Sequence, residues 1–397
     1  MLRGGFGVFY DLGNQAAGRA ANVFNYPYGA YNLLFGTPIT GGPPLPFPLT
    51  TAEAPPSAVT LSPPFNITAF DPHLKMPYTL QWNVAIEQAL GANQSFSLSY
   101  VGADGHRLQA QQDLVSPNAT FGTLYVITNG TYSNYNSLQA QFRRRLSHGL
   151  QSMISYTWAH SIDDASSAFS SLEVSGSDII APGYSNRGPS DWDVRNTLSA
   201  AVMWDLPTPH NNPLVEALFG NWATDNIVQA RSAPPVDVNN GMPINFNPSQ
   251  QIVLRPDVVP GQPLYLYGPQ YPGRKALNYY AFTNPPINPT TEFPERQGDL
   301  GRNALRGFGA TQWDFAVRRQ FPIFDRVKLQ FRAELFNVLN HPNFGPPTSN
   351  TSLPPSQFGV ATQMLGASLG QGYGTGLSPL YQIGGPRSVQ LALKLTF

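Results

Sequence analysis

The stretch Val327–Leu335, which reads VKLQFRAEL, decides the fold class of this 397-residue chain. Apolar and polar residues alternate strictly along it. Its apolar positions are Val327, Leu329, Phe331, Ala333 and Leu335, and the polar positions between them are Lys328, Gln330, Arg332 and Glu334. A period of two is typical of a β-strand with one face in an apolar environment. The same pattern recurs clearly in residues 78–87, 197–206 and 389–397, so we expect an all-β fold.

Weaker alternation in six further segments brings the number of candidate strands to ten. They are residues 2–10, 78–90, 94–102, 135–146, 150–160, 194–206, 222–231, 311–321, 326–337 and 388–397. Most are longer than the five or six residues usual in soluble sheets. They match the roughly 9–11 tilted residues with which a β-strand crosses a bilayer.

The connections between the candidate strands alternate between short and long. Residues 91–93, 147–149 and 322–325 are short connections, and 207–221 is intermediate; the long ones are 11–77, 103–134, 161–193, 232–310 and 338–387. An outer-membrane barrel has short periplasmic turns and long outer loops. We therefore predict an antiparallel transmembrane β-barrel in the outer membrane of a Gram-negative-type bacterium, with all the long loops at its extracellular end. Leu329, Phe331 and Leu335 should face lipid, while Lys328, Arg332 and Glu334 face the interior.

The composition excludes several other classes of protein. The chain has 23 basic and 23 acidic residues, and only 12% of its residues are charged. A neutral chain lacks the basic surface that nucleic-acid binding requires. The absence of cysteine removes disulfides, thiolate metal sites and thiol nucleophiles. No catalytic or phosphate-binding motif occurs, so we expect no enzyme activity, no cofactor and no metal.

Eight segments, in order along the chain, resemble the C-terminal barrel of Oar-like TonB-dependent transporters of the acidobacterial type. They are Leu2–Asp11, Tyr78–Ile86, Leu98–Leu108, Tyr135–Phe142, Ser155–Asp164, Gly301–Gly307, Gln330–Gly345 and Gln390–Phe397. The resemblance implies a transporter that takes up a large nutrient, here unidentified, with plug domain and TonB as partners. It also implies a barrel of 22 strands preceded by a signal peptide, a regulatory-like domain and a plug. We therefore expect residues 1–397 to be the C-terminal part of such a barrel, a partial barrel of about ten strands without those upstream parts.

Two sets of residues are candidates for function. The lumen-facing candidates for contact with a substrate or the plug are Gln141, Arg143, Arg145, Arg318, Arg332 and Glu334. The alternative for each is an ordinary hydrated, salt-bridged wall. The C-terminal set, Leu391, Leu393, Leu395 and Phe397, looks like the signal that barrel-assembly machinery recognises, and the lipid of the outer membrane is the other expected partner.

Other interpretations stay open at this point. His160 with Asp163 and Asp164 forms a weak candidate for a catalytic or metal cluster, and Asp191, Asp193 and Arg195 form either an ion pair or a weak calcium site. Arg144 and Arg319 fall on the apolar phase of their strands, close to short turns where a long side chain can reach the headgroups. The whole chain could instead be a secreted or surface glycan-binding adhesin, or a structural outer-membrane protein that transports nothing.

Overall fold

The computed structural model describes residues 1–11, 63–166, 185–208, 212–241, 243–247, 250–324, 327–366 and 384–396. Ten long strands form an antiparallel sheet in which each strand pairs with its neighbours in sequence. They are β1 (Leu2–Tyr10), β2 (Tyr78–Ala89), β3 (Gln94–Asn118), β4 (Phe121–Ser147), β5 (Leu150–Asp163), β6 (Asn196–Asp205), β7 (Trp222–Arg231), β8 (Ala310–Phe324), β9 (Val327–Phe336) and β10 (Ser388–Thr396). All ten predicted strands are confirmed, and because every pairing is antiparallel, alternate connections lie at the same end of the sheet.

The sheet is open within the described part of the chain. Strand β1 pairs with β2, and β10 pairs with β9, while the outer edges of β1 and β10 do not pair with each other. The predicted fold class, a partial antiparallel barrel with long loops at one end, agrees with this arrangement.

One face of the sheet is apolar from edge to edge. Across the first pair Phe6 lies opposite Trp82, and across the last pair Phe331 lies opposite Leu393. Many apolar side chains on this face are exposed, among them Phe6 at 69% and Leu393 at 71%. A soluble protein does not leave so large an apolar surface in water. Leu329, Phe331 and Leu335 share this face, and their contact with lipid stays a prediction.

The prediction of a long loop at 103–134 is wrong. Strands β3 and β4 continue beyond the ten-strand sheet and are joined by the two residues at 119 and 120. This extension is covered by two other segments: Phe65–Phe70 pairs with β4 in parallel, and Gln250 pairs with Leu114. Because protein rather than lipid covers the extension, it lacks the apolar alternation that marks the other strands.

The long connections fold together at one end. A buried apolar cluster there joins 232–309 to 337–366, and its members are Val236, Val238, Leu277, Ala281, Phe282, Leu300, Leu305 and Phe358. The short strands of these connections are Gly188–Pro189, Pro235–Val236, Pro243–Asn247, Gln250–Val253, Asp257–Val258, Tyr265–Tyr267, Lys275–Leu277, Phe282–Thr283 and Leu305–Arg306. Two 3₁₀ turns, Pro272–Arg274 and Tyr279–Ala281, complete them.

One α-helix, α1 (Pro213–Phe219), lies in the connection between β6 and β7, at the end opposite the long loops. The sequence analysis did not predict it. None of the helices in the described ranges is long and apolar enough to cross a bilayer.

Candidate functional site

The polar face of strands β6 to β9 carries a chain of ion pairs. The Arg318 guanidinium is 2.8 Å from the Asp205 carboxylate and 3.4 Å from that of Asp225. Arg332 is 3.6 Å from Asp225 and 2.7 Å from Glu334. Three of the six predicted lumen residues, Arg318, Arg332 and Glu334, are thus joined in one network. All of its members are partly exposed, so each pair stabilises the fold only modestly.

The other three predicted lumen residues lie on the same face but apart from this network. Gln141, Arg143 and Arg145 are on β4, four strands from β8, or about 19 Å along the sheet at the usual strand spacing. The Gln141 amide donates a hydrogen bond to the Ser155 hydroxyl at 3.3 Å. Arg143 and Arg145 are exposed near the short turn that ends β4. Their charges therefore face the space above the sheet, close to its short-turn end.

Arg302 is the centre of a buried network at the long-loop end. Its side chain is fully buried and is hydrogen-bonded to the Asp163 carboxylate. It also donates to the Ser166 hydroxyl at 2.8 Å and lies 3.4 Å from Asp191. The adjacent Asn303 donates to Asp191 at 2.6 Å. The segment that begins at Gly301 is thereby tied to the end of β5 and to the loop before β6.

Asp193 is the second centre of this network. Its carboxylate accepts hydrogen bonds from His160 at 3.0 Å, Arg195 at 2.9 Å and Arg306 at 2.5 Å. Burial alone would raise the pKa of Asp193, but the hydrogen bonds from Arg306, the Ser161 N–H and His160 hold that pKa below its ordinary value. Asp193 therefore stays a carboxylate that links the loop before β6 to the segment after 300.

These contacts decide between the two interpretations of the loop carboxylates. The predicted ion pair between Asp193 and Arg195 is present. His160 contacts Asp193, so the weak candidate cluster of His160 with Asp163 and Asp164 is not formed. Asp163 binds Arg302, and Asp164 accepts a hydrogen bond from the Tyr132 N–H. Within the described ranges no three His, Asp or Glu side chains come together as a metal ion would require.

A cavity of about 420 Å³ adjoins this network at the long-loop end. Four arginines line it, against the two acidic residues Glu295 and Asp299: Arg187, Arg255, Arg296 and Arg302. The Arg296 guanidinium forms two hydrogen bonds with the Asp257 carboxylate, at 2.6 and 2.7 Å, and these lower the pKa of Asp257. Arg187 is exposed. A volume of this size is within the range of small-molecule sites, and two of its arginines, Arg296 and Arg302, are already paired with aspartates.

Sequence analysis missed this cavity because its arginines are far apart along the chain. Arg255 donates to Asn186, which is 69 residues away, and Arg302 bonds to Asp163, which is 139 residues away. The available signal was indirect. Arg302 and Arg306 lie in the segment Gly301–Gly307 that carries part of the family resemblance, and both bind carboxylates of this network.

Comparison with known proteins gives one family. The model of the outer membrane beta-barrel domain matches residues 1–372. No curated protein matches the chain. Among solved structures, the outer membrane transporter YddB from Escherichia coli is 12% identical to this chain, with a TM-score of 0.45. The alignment covers 84% of this chain and 34% of the YddB chain. The pyoverdine outer membrane receptor FpvA from Pseudomonas aeruginosa is 12% identical with a TM-score of 0.38, covering 82% and 30%. The chain thus spans about a third of the length of these two structures.

Proposed function

The chain belongs to the outer membrane beta-barrel domain family and lies in the cell outer membrane, and from this premise we propose that it is the C-terminal barrel part of an Oar-like TonB-dependent transporter. Its cargo in this proposal is a large nutrient. The plug domain and TonB are the partners that would pass energy to the barrel.

The open sheet is the observation that carries the proposal. The outer edges of β1 and β10 expose backbone N–H and C=O groups, since they do not pair with each other in the described part of the chain. Lipid cannot satisfy such groups, so we propose that further strands of the full transporter lie between these two edges. A barrel that contains these ten strands and others is wide, and barrels of 22 strands are the ones that hold a plug.

The two ends of the polar face suit different parts of uptake. We propose that the cavity lined by Arg187 and Arg296 first meets the nutrient, because it lies at the long-loop end and the exposed Arg187 is one of its lining residues. Arg143 and Arg145, exposed at the short-turn end of β4, are proposed contacts of the plug domain. Arg318, Arg332 and Glu334 are already paired with one another or with aspartates, and we propose that they form the wall between these two regions.

Strand β10 is the proposed signal for barrel assembly. Leu391, Leu393 and Leu395 are exposed on its apolar face, at 68%, 71% and 46%. Phe397, the fourth residue of the predicted signal, lies outside the described residues. Replacing Leu393 by Asp should reduce the amount of protein in the outer membrane without reducing its synthesis, which quantitative immunoblots of membrane fractions would measure.

Depletion of nutrients from the growth medium tests transport. Three strains are compared: the wild type, one lacking the gene for this chain and one lacking TonB. We expect at least one large compound to stay in the medium of both mutants while the wild type removes it. If the strain lacking the chain removes every compound that the wild type removes, the structural outer-membrane protein is the correct alternative. The apolar face of the sheet argues against the adhesin alternative, because a secreted protein would expose that face to water.

A further inference from the structure

Helix α1 (Pro213–Phe219) carries an apolar surface at the short-turn end of the sheet, outside the barrel wall. We propose that this helix is an interfacial anchor that binds the headgroup–acyl boundary of a phospholipid leaflet. This proposal goes beyond transport, because it assigns a membrane-binding role to the connection between β6 and β7, which has no part in the proposed uptake.

The helix is well defined by local chemistry. The Asn212 side chain accepts a hydrogen bond from the Leu214 N–H at 2.8 Å, and Pro213 occupies the first turn, where its missing N–H costs nothing. Gly220 ends the helix: a Cβ there would lie 2.5 Å from the Glu216 carbonyl oxygen. A defined start and stop fix which side chains share a face.

Four of its seven residues form a continuous apolar arc. At 100° per residue, Leu214, Val215, Leu218 and Phe219 span about 140° of the helix surface, and Glu216 lies beyond that arc. Leu214, Leu218 and Phe219 are exposed at 73%, 62% and 61%. Water is a poor environment for so much apolar surface on so short a helix.

Two side chains on the apolar face of the sheet hold the helix in place. The Trp222 indole N–H donates to the Leu218 carbonyl at 3.0 Å, and the Arg319 guanidinium donates to the Ala217 carbonyl. Arg319 also lies over the rings of Trp222 and Phe321, with its central carbon 5.2 and 4.6 Å from their centroids. These contacts satisfy carbonyls at the end of the helix that have no partner within it. They also attach the helix on the lipid-facing side of the wall.

The position of Arg319 indicates that lipid covers the apolar arc of helix α1. It lies opposite Phe331 on the apolar face, yet its charge must avoid the hydrocarbon core. It does so close to the short turn, among aromatic rings, which is where arginine and tryptophan reside at a membrane interface. Phe321 and Phe324, exposed at 38% and 74% on β8, extend the apolar surface toward the helix. The apolar arc is thus continuous with the lipid-facing sheet, and amphipathic helices in such positions lie in the interface plane.

Nitroxide labels at single cysteines test this proposal, and the lack of native cysteine in the chain makes them site-specific. The three labelled variants are Leu218→Cys on the apolar arc, Glu216→Cys across the same helix, and Val84→Cys on the apolar face of β2, where Val84 is 51% exposed. Each full gene product is purified from outer membranes and reconstituted in vesicles of phosphatidylethanolamine and phosphatidylglycerol. Electron paramagnetic resonance then compares collisions with oxygen, which enters lipid, and with a nickel chelate, which stays in water.

We expect the ratio of oxygen to nickel collisions to be several-fold higher at position 218 than at 216, and high at 84. A low ratio at 218 with a high ratio at 84 would place the helix in water and overturn the proposal. Shielding of 218 from both reagents would indicate a protein occupant, such as a second copy, and would also overturn it. A low ratio at 84 would remove the sheet itself from lipid, and the membrane assignment of the chain would fail as well. In the variant Arg319→Gln, the ratio at 218 should fall while that at 84 stays unchanged.

Discussion

Replacing Arg302 by Met should open the long-loop end of the structure. The Arg302 side chain is fully buried, and its partners Asp163, Ser166 and Asp191 come from two separate segments. Removing one member of a buried ion pair leaves the other charge unpaired and costs about 3–5 kcal/mol. At about 1.4 kcal/mol per factor of ten, the equilibrium for local opening should rise between roughly 150-fold and several thousand-fold.

Hydrogen exchange measures this change directly. The Ser190 N–H donates to the Ser161 carbonyl, and the Ala304 N–H donates to the Gly301 carbonyl, so both amides report on the segments that Arg302 joins. Their exchange should accelerate by the factor given above in Arg302→Met. Amides of β9 and β10 should keep their rates, because the network does not extend to those strands.

Arg296→Met provides the matched control. Arg296 also pairs with an aspartate, Asp257, but 51% of its side chain is exposed, so the pair should contribute little to stability. The double variant Arg302→Met with Asp163→Leu removes both buried charges and should exchange more slowly than Arg302→Met alone. Equal rates in the two single variants, or faster exchange in the double variant, would contradict the assignment of Arg302 as a buried electrostatic centre.

Three further outcomes follow from the structure. Burial raises the pKa of Asp113 to about 6, so the charged carboxylate destabilises the β3–β4 extension at pH 7. The free energy of local unfolding of this extension should therefore rise by up to about 3 kcal/mol as the pH falls from 7 to 4. Asp113→Asn should abolish this pH dependence, which hydrogen exchange measures. In membranes, a lipid-soluble thiol reagent should modify Phe331→Cys and spare Arg332→Cys; the reverse preference would invert the register of β9. A side chain at Gly102 would meet the Trp82 ring at 2.3 Å, so Gly102→Val should cost about 1–3 kcal/mol and alter tryptophan fluorescence, whereas Gly91→Ala, with open space around it, should leave that fluorescence unchanged.

The sheet could be predicted from the sequence because lipid imposes the same rule on every strand. Each residue of a strand such as Val327–Phe336 faces either hydrocarbon or the polar interior, so the polarity of its side chain indicates which face of the sheet it occupies. The same rule explains the failure at 103–134. Gln111 and Asp113 lie on a strand that other protein segments cover, and Gln111 donates a hydrogen bond to Asp113 there. Hydrogen bonds of this kind permit polar residues on a buried face, and the alternation disappears.

Helix α1 was missed although its signals are local. Asn212 and Pro213 before the apolar residues and Gly220 after them are the usual marks of a helix start and stop. Seven residues are too few for helical periodicity to be recognised, and the sequence around Leu218 is equally compatible with a turn. The long-loop network was beyond prediction for a different reason: the partner of Arg302 is 139 residues away, and nothing local distinguishes Asp163 from Asp164.

Three arginines show why so few charges suffice in this chain. Arg302 is buried and binds carboxylates from the end of β5 and from the loop before β6. Arg332 pairs along the polar wall, and Arg319 lies at the edge of the lipid-facing surface on aromatic rings. Each environment would penalise an unpartnered charge differently: most in the buried network, less at the membrane edge and least in the hydrated interior. The apolar face of ten strands admits almost no charge at all. The low charged fraction, 12%, therefore follows from the area given to lipid, and the charges that remain are concentrated where loops must be joined or an aqueous path lined.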